Sequence, residues 1–286
     1  MSATFSAIQS KRGAYFWQGL CYLLMILISV ATVVPFLFMF STSLTQSFTM
    51  MTYPPTLWPD NPSLNNYWEI IFNFQNGLFP RWFFNTIFTT LCITVGSLFL
   101  NTLAGYIFAK KEFYGKRILF SLLLSTMMVP SAVTLIPAFL IINKLSLFNT
   151  YWALILPALA SPFGIFMMRQ FISSLPSELI EVSKIDGAGE LRIFWSIIMP
   201  LSLPGMAALG IFTVINSWNA FLWPLVVLRA NTMRTLVVGL ATVQSEYHPE
   251  YGLIMAGSVL TVLPLLVLYL LFQPYFVEGL RMGYGK

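Results

Sequence analysis

Few residues of this 286-residue chain have the type and spacing to do chemistry of their own. The sole histidine, His248, lies near Glu246 and Glu250, a set that invites a metal ion. It sits on a polar stretch with no second ligand cluster and reads as an ordinary solvated loop. Cys21 and Cys92 both fall within apolar runs, without metal-ligand spacing or a reason to propose a disulfide, and read as packing residues. Gly115-Lys116-Arg117 is the nearest approach to a phosphate-binding loop. It lacks the leading glycine spacing and the following Ser or Thr that would cradle a nucleotide. The chain is therefore expected to bind no metal and no cofactor, and to hydrolyse no ATP itself.

The elements that carry these residues are apolar. Hydrophobic residues make up 57% of the chain and charged residues 9%, with a mean hydropathy of +0.78. A soluble domain carries roughly 25% charged residues, so most of this surface has lipid as its solvent. The net charge of +5 does not imply a nucleic-acid partner, because the basic residues flank apolar runs and form no patch interleaved with aromatics. Six charge-poor stretches reach the roughly 20 residues that a membrane-crossing helix needs. They place spans near 17–42, 83–108, 118–141, 150–169, 201–226 and 254–276. Helix is the expected form, since a backbone in lipid must satisfy its own hydrogen bonds. The alternation of a membrane β-barrel is missing. The first run is much longer than a signal-peptide core of about 7–15 residues and no A-x-A-like site follows it, so it reads as a span.

Lysine and arginine bias sets the direction. Lys11, Arg12, Lys110, Lys111, Lys116, Arg117, Arg169, Lys184, Arg192, Arg281 and Lys286 flank one side. Only Arg81, Lys144, Arg229 and Arg234 flank the other, so both termini are expected in the cytoplasm. Outward loops then cover 43–82, with one short interfacial helix, and 227–253. The span interiors hold no Asp, Glu, Lys, Arg or His, which argues against ion-coupled carriers and membrane enzymes. They do hold Pro130, Pro137, Pro157, Pro162, Pro204, Pro224 and Pro264. Such prolines kink helices and suit a bundle that opens and closes.

Between spans four and five lies the most unusual cytoplasmic segment, 174–200. Pro176 suits the first turn of a helix running to about Ile185, and Asp186-Gly187 supplies a turn. A second short helix follows, with Leu191, Phe194, Trp195 and Ile198 at i, i+3, i+4 and i+7, and Pro200 precedes the next span. Two short helices with apolar side chains on a cytoplasmic surface fit either a protein groove or the lipid interface.

The run Glu181-Val182-Ser183-x-x-x-Gly187, followed by Ile197-x-Met199-Pro200, resembles the E-A-A-x-x-x-G…I-x-L-P loop of binding-protein-dependent ABC importer permeases. The stretch 176–204 is most similar to their carbohydrate branch, the maltose-type and glycerol-phosphate-type second permeases. Asn85-Thr86, Leu103-Ala104-Gly105-Tyr106-x-Phe108-Ala109-Lys110, Ser217-Trp218-Asn219-x-Phe221-x-Trp223-Pro224 and Tyr275-Phe276-Val277-Glu278-Gly279-Leu280 extend the resemblance over about residues 80–280. Departures are Val182 and Ser183 in place of two alanines, Gly189 where a capping Ser or Asn is more usual, and the tail after Gly279.

The resemblance implies an all-α, six-span type I importer permease fold. Residues 1–80 form an N-terminal segment, first span and outer loop, 81–280 the transport domain, and 281–286 a tail. It implies a second permease, two ATP-binding subunits that hold ATP and Mg, and an extracytoplasmic solute-binding protein, in a bacterial inner membrane. Glu181 would be the polar contact or brace of the loop, Asp186 and Gly187 its turn, and Leu191, Phe194 and Trp195 its packing surface. Asn216, Trp218, Asn219 and Trp223 are candidates for the solute path, with Asn85 and Asn101 behind them. Amides bond hydroxyls and rings stack on sugar faces, so the solute is expected to be a sugar or polyol. The absence of a basic residue at depth favours this over glycerol phosphate, which stays open because a partner permease can supply charge.

Overall fold

The computed structural model describes residues 2–45, 58–246 and 251–282, and these are helical, with no strand among them. They divide into two compact units, Met1–Ile70 with Tyr247–Leu260 and Ile71–Glu246 with Thr261–Lys286. In the first unit, α1 (Ser2–Ser43) contains the unbroken apolar run Trp17–Ser43. From Tyr22 to Leu37 its large side chains are exposed on every face, as lipid-facing helices are. Its end is tied to the short helix α2 (Asn65–Trp68): Asn66 Nδ2 donates to the Ser43 and Thr45 carbonyls at 2.8 and 2.6 Å. The Ser43 and Tyr67 hydroxyls lie 2.6 Å apart. A short helix was expected in this loop; residues 46–57 and His248 lie outside the described residues.

The second unit is organised around α3 (Phe79–Lys110), which has an inverted pattern. Asn85, Thr86, Thr89, Ser97, Asn101 and Thr102 are buried, while Phe84, Leu91 and Val95 face out. Apolar side chains gain nothing by leaving lipid, so close packing and hydrogen bonds hold such helices together. The polar stripe supplies both. Asn85 donates to the Thr232 and Arg234 carbonyls and accepts from the Tyr151 hydroxyl at 2.7 Å. Thr86 Oγ1 accepts the Leu236 N–H at 2.8 Å. Close approach requires Gly105: a Cβ there would stand 2.7 Å from Met168 Cβ and 2.9 Å from the Arg169 nitrogen.

Three of the expected spans are continuous helices: α1, α3 and α14 (Tyr251–Met282), whose apolar part is Tyr251–Gln273. The other three are bent pairs, so six crossings require each pair to count as one. The stretch expected as 118–141 is α4 (Lys116–Thr126) and α5 (Ser131–Lys144), meeting at 103°. Pro130 sits at the corner, where its missing N–H and its effect on the preceding residue favour a break. The stretch 150–169 is α6 (Trp152–Ala158) and α7 (Pro162–Ser173), bent by 40°. The backbone freed there is satisfied: Asn101 Oδ1 accepts the Ser161 N–H at 3.0 Å, and Ser161 Oγ accepts the Gly164 N–H at 2.9 Å.

The segment before the fifth stretch holds α8 (Glu178–Ile185), α9 (Glu190–Ile193) and α10 (Met199–Leu201). The stretch itself starts with α11 (Leu203–Trp218), at 74° to the helical run Glu190–Leu201. After α11 the chain turns into α12 (Leu222–Val227), then reaches α13 (Leu236–Glu246).

Candidate functional site

The segment 174–200 folds as two short helices around a turn. At the end of α8 the Ala188 N–H bonds the Ser183 carbonyl at 2.9 Å and the Gly187 N–H bonds that of Lys184 at 3.0 Å. This crossed pair requires a left-handed residue, and Gly187 has φ +78 with open space around it. The glycine is there for its backbone. Gly189 has φ −71 and ψ 163 and caps α9 without a side-chain bond. Any L-residue can adopt that conformation.

The loop has an inner and an outer side. Ile180, Ile193, Phe194 and Ile198 are buried in one cluster with Tyr106 of α3, Met168 and Ile172 of α7, and Met206 and Leu209 of α11. The side chains facing away are also apolar: Leu179, Val182, Ile185 (85% exposed) and Leu191. The spacing of 191, 194, 195 and 198 predicted one shared face, but the structure buries Phe194 and Ile198 and leaves Leu191 and Trp195 exposed. The turn widens to a π-helix over Phe194–Ile198, which shifts the phase of the faces. Pro200 has no N–H to give the Ser196 carbonyl, so a regular turn cannot close there. Trp195 still packs, stacked on Phe99 of α3 at 5.7 Å.

The polar brace of the loop is Glu190. It bonds Lys111, accepts from the Tyr106 hydroxyl at 3.0 Å, and lies 3.8 Å from Lys184. Partial burial pulls the Lys111 ammonium down, but its hydrogen bonds with Glu190 and Tyr106 outweigh this and hold it above the ordinary lysine value. Lys110 Nζ donates to the Leu175 carbonyl at 2.5 Å and the Ser177 hydroxyl at 3.1 Å. The starts of both α8 and α9 are thus pinned to the end of α3. Glu181 and Asp186 are exposed and form no ion pair among the described residues. Ser183 Oγ donates to the Leu179 carbonyl at 2.6 Å, so its polarity is spent within its own helix. Sequence reasoning overlooked Glu190; the flagged motif ending in Tyr106 and Lys110 was the available signal.

Away from the loop, α3, α6, α11 and α12 line a half-open cavity of about 260 Å³. Its polar lining is neutral: the hydroxyls of Thr89, Ser97, Ser161, Thr213, Ser217 and Thr235, with Asn216 and Trp223. The Asn216 amide has no hydrogen-bond partner among the described residues, and Thr235 Oγ1 is buried without one. Trp223 is oriented by Nε1 donating to the Ala153 carbonyl at 2.9 Å.

The six path candidates therefore separate. Asn216 and Trp223 line the cavity. Asn85 and Asn101 are fully buried and bonded between helices, and Trp218 is buried with Nε1 donating to the Thr261 carbonyl at 3.2 Å. Asn219 bonds the Ile215 carbonyl of its own helix at 2.9 Å. Among the cavity's hydroxyls only that of Ser217 lies in a motif singled out in the sequence; the others gave no signal, because Ser and Thr are common in membrane helices whether they pack or line a cavity.

An all-helical bundle with bent spans, an uncharged polar cavity and a helical loop pinned to one end has the build of a membrane transport component. Residues 101–282 match the family described as binding-protein-dependent transport system inner membrane component, and the chain belongs to that family. It is 42% identical over 225 residues to the arabinooligosaccharides transport system permease protein AraQ of Halalkalibacterium halodurans, covering 79% of this chain and 80% of that one. It is 34% identical over 228 residues to the sn-glycerol-3-phosphate transport system permease protein UgpE of Yersinia enterocolitica, covering 79% and 80%. The fold is that of a chain in the crystal structure of a bacterial ABC transporter involved in the import of the acidic polysaccharide alginate. The TM-score is 0.84 at 23% identity, over 93% of this chain and 98% of the other.

Proposed function

We propose that this chain is one permease of an ATP-binding-cassette importer in a bacterial inner membrane, with both termini in the cytoplasm. It works with a second permease, two ATP-binding subunits that hold ATP and Mg, and an extracytoplasmic solute-binding protein. The observation that carries this reading is the two-sided loop. Its outer face offers Leu179, Val182, Ile185 and Leu191 to a partner groove, while its inner face shares one cluster with α3, α7 and α11. A push on α8 is therefore delivered to three helices that also bound or adjoin the cavity. Glu181, exposed beside this apolar patch, is read as a polar contact with the ATPase, and Gly187 as the turn that sets the angle of α8.

The solute is read as a sugar or related polyhydroxyl compound. Hydroxyl donors and acceptors, one uncommitted amide and an indole suit such a molecule, and no charged side chain lines the cavity. A glycerol-phosphate solute would need a cation from the second permease. The test is ATP-driven uptake by the assembled transporter in proteoliposomes. Glu181→Lys and Gly187→Pro are expected to abolish uptake while the chain still inserts in membranes. Normal uptake by both variants would sink the coupling role.

A further inference from the structure

A second cleft, of about 740 Å³, opens at the same end of the unit as Glu190, between α7 and the α3–α4 connection. Lys116, Arg117 and Arg169 line it, opposed by the single carboxylate of Glu112. That carboxylate is already taken by Lys116 at 2.8 Å. Arg117 and Arg169 form no ion pair among the described residues. Arg169 is held in place nonetheless: its guanidinium sits 4.1 Å from the Phe120 ring centre, and Nε reaches the Phe108 carbonyl at 3.4 Å. Nearby Lys110 and Lys111 are committed to the loop. A half-buried, oriented guanidinium beside a second unpaired one leaves local positive charge that an anion would offset.

We propose that this cleft binds the headgroup of an anionic phospholipid at the cytoplasmic interface. Charge alone would also suit free phosphate. The walls favour a lipid, because Phe108, Phe113 and Phe120 form them, and Ile118, Leu119 and Leu122 of α4 continue outward as an exposed apolar face. Tyr114 at the rim is fully exposed, as an interfacial aromatic is. A phosphate held by Arg117 and Arg169 would thus have its acyl chains along α4. The cytoplasmic placement rests on the orientation proposed above; the binding chemistry does not.

Native mass spectrometry of the full chain in nonionic detergent tests this, with equal amounts of phosphatidylglycerol and phosphatidylcholine of matched acyl chains. Wild type is expected to retain phosphatidylglycerol preferentially. Arg117→Gln should cut that preference roughly five-fold, and Arg117→Gln/Arg169→Gln should reduce it further. Arg117 is exposed and unpaired, so its loss should leave the fold intact. Arg169→Lys should keep the preference, and Arg229→Gln, at the other end of α3, should not change it. An unchanged preference in the double variant would overturn the site. So would displacement of the lipid by inorganic phosphate, which would assign the cleft to the free anion. ATP-driven uptake measured in parallel keeps the transport reading separate: its failure with lipid preference intact leaves this site standing.

Discussion

Two glycines two positions apart behave differently because their backbones differ. Gly187 holds φ +78, where an L-residue costs about 1–2 kcal/mol. Gly187→Ala should therefore loosen the end of α8 and lower coupled uptake, although nothing crowds the new methyl group. Gly189 has an extended backbone that any residue adopts. Gly189→Ser should stabilise α9 by a few tenths of a kcal/mol through an added cap, and leave uptake unchanged in the same assay. Tyr106 bonds Glu190 from within a buried cluster. Tyr106→Phe should cost about 1 kcal/mol of thermal stability in detergent. It should also uncouple ATP hydrolysis from uptake, which a purely structural bond would not do. The Gly187 turn was legible in the sequence because Asp-Gly after a helical run has few other uses. Glu190 was not legible as a brace, because its partners, Tyr106 and Lys111, lie about eighty positions away.

At the scale of elements, contact between α3 and α7 depends on small and polar side chains. Gly105→Val would drive its side chain into the backbone of α7 at Arg169, where neither helix can yield. Overpacking of this kind costs about 1–3 kcal/mol, read as a lower melting temperature of the detergent-solubilised chain. On α8 the prediction has the opposite character. Ile185 is 85% exposed, so Ile185→Asp should leave that melting temperature unchanged. The same variant should weaken co-purification of the ATP-binding subunits, because an apolar anchor at a helix-in-groove contact is lost. The expected second helix of the loop was present, but its faces were assigned by a period of 3.6. A π-turn over Phe194–Ile198 moved Phe194 to the inside and left Leu191 outside. Hydrophobic spacing does not reveal a π-turn, since the insertion depends on packing against α3 and on the missing N–H of Pro200.

At the scale of the whole molecule, the cavity is bounded by helices from one chain, and its polar groups are neutral. Asn216→Ala should raise the KM for solute uptake with little change in basal ATP hydrolysis, because the amide holds no structural bond. Asn101→Ala should instead lower the amount of folded chain, since it leaves the Ser161 N–H and the Ser97 hydroxyl unpaired inside the bundle. Comparing the two by uptake kinetics and by yield of monodisperse protein separates a path residue from a packing residue.

By itself the sequence determined that the chain lives in lipid, roughly where its apolar stretches lie, and that 174–200 is a two-helix loop. Those properties follow from hydropathy, charge and turn chemistry, which act over a few residues at a time. Tertiary structure alone decided which polar residues are spent and which are uncommitted. Asn85 and Asn216 are the same residue type, each within an expected span, yet one bonds three partners across the bundle and the other faces a cavity. An amide's role depends on what stands opposite it, and in this chain that is supplied by residues far away in sequence.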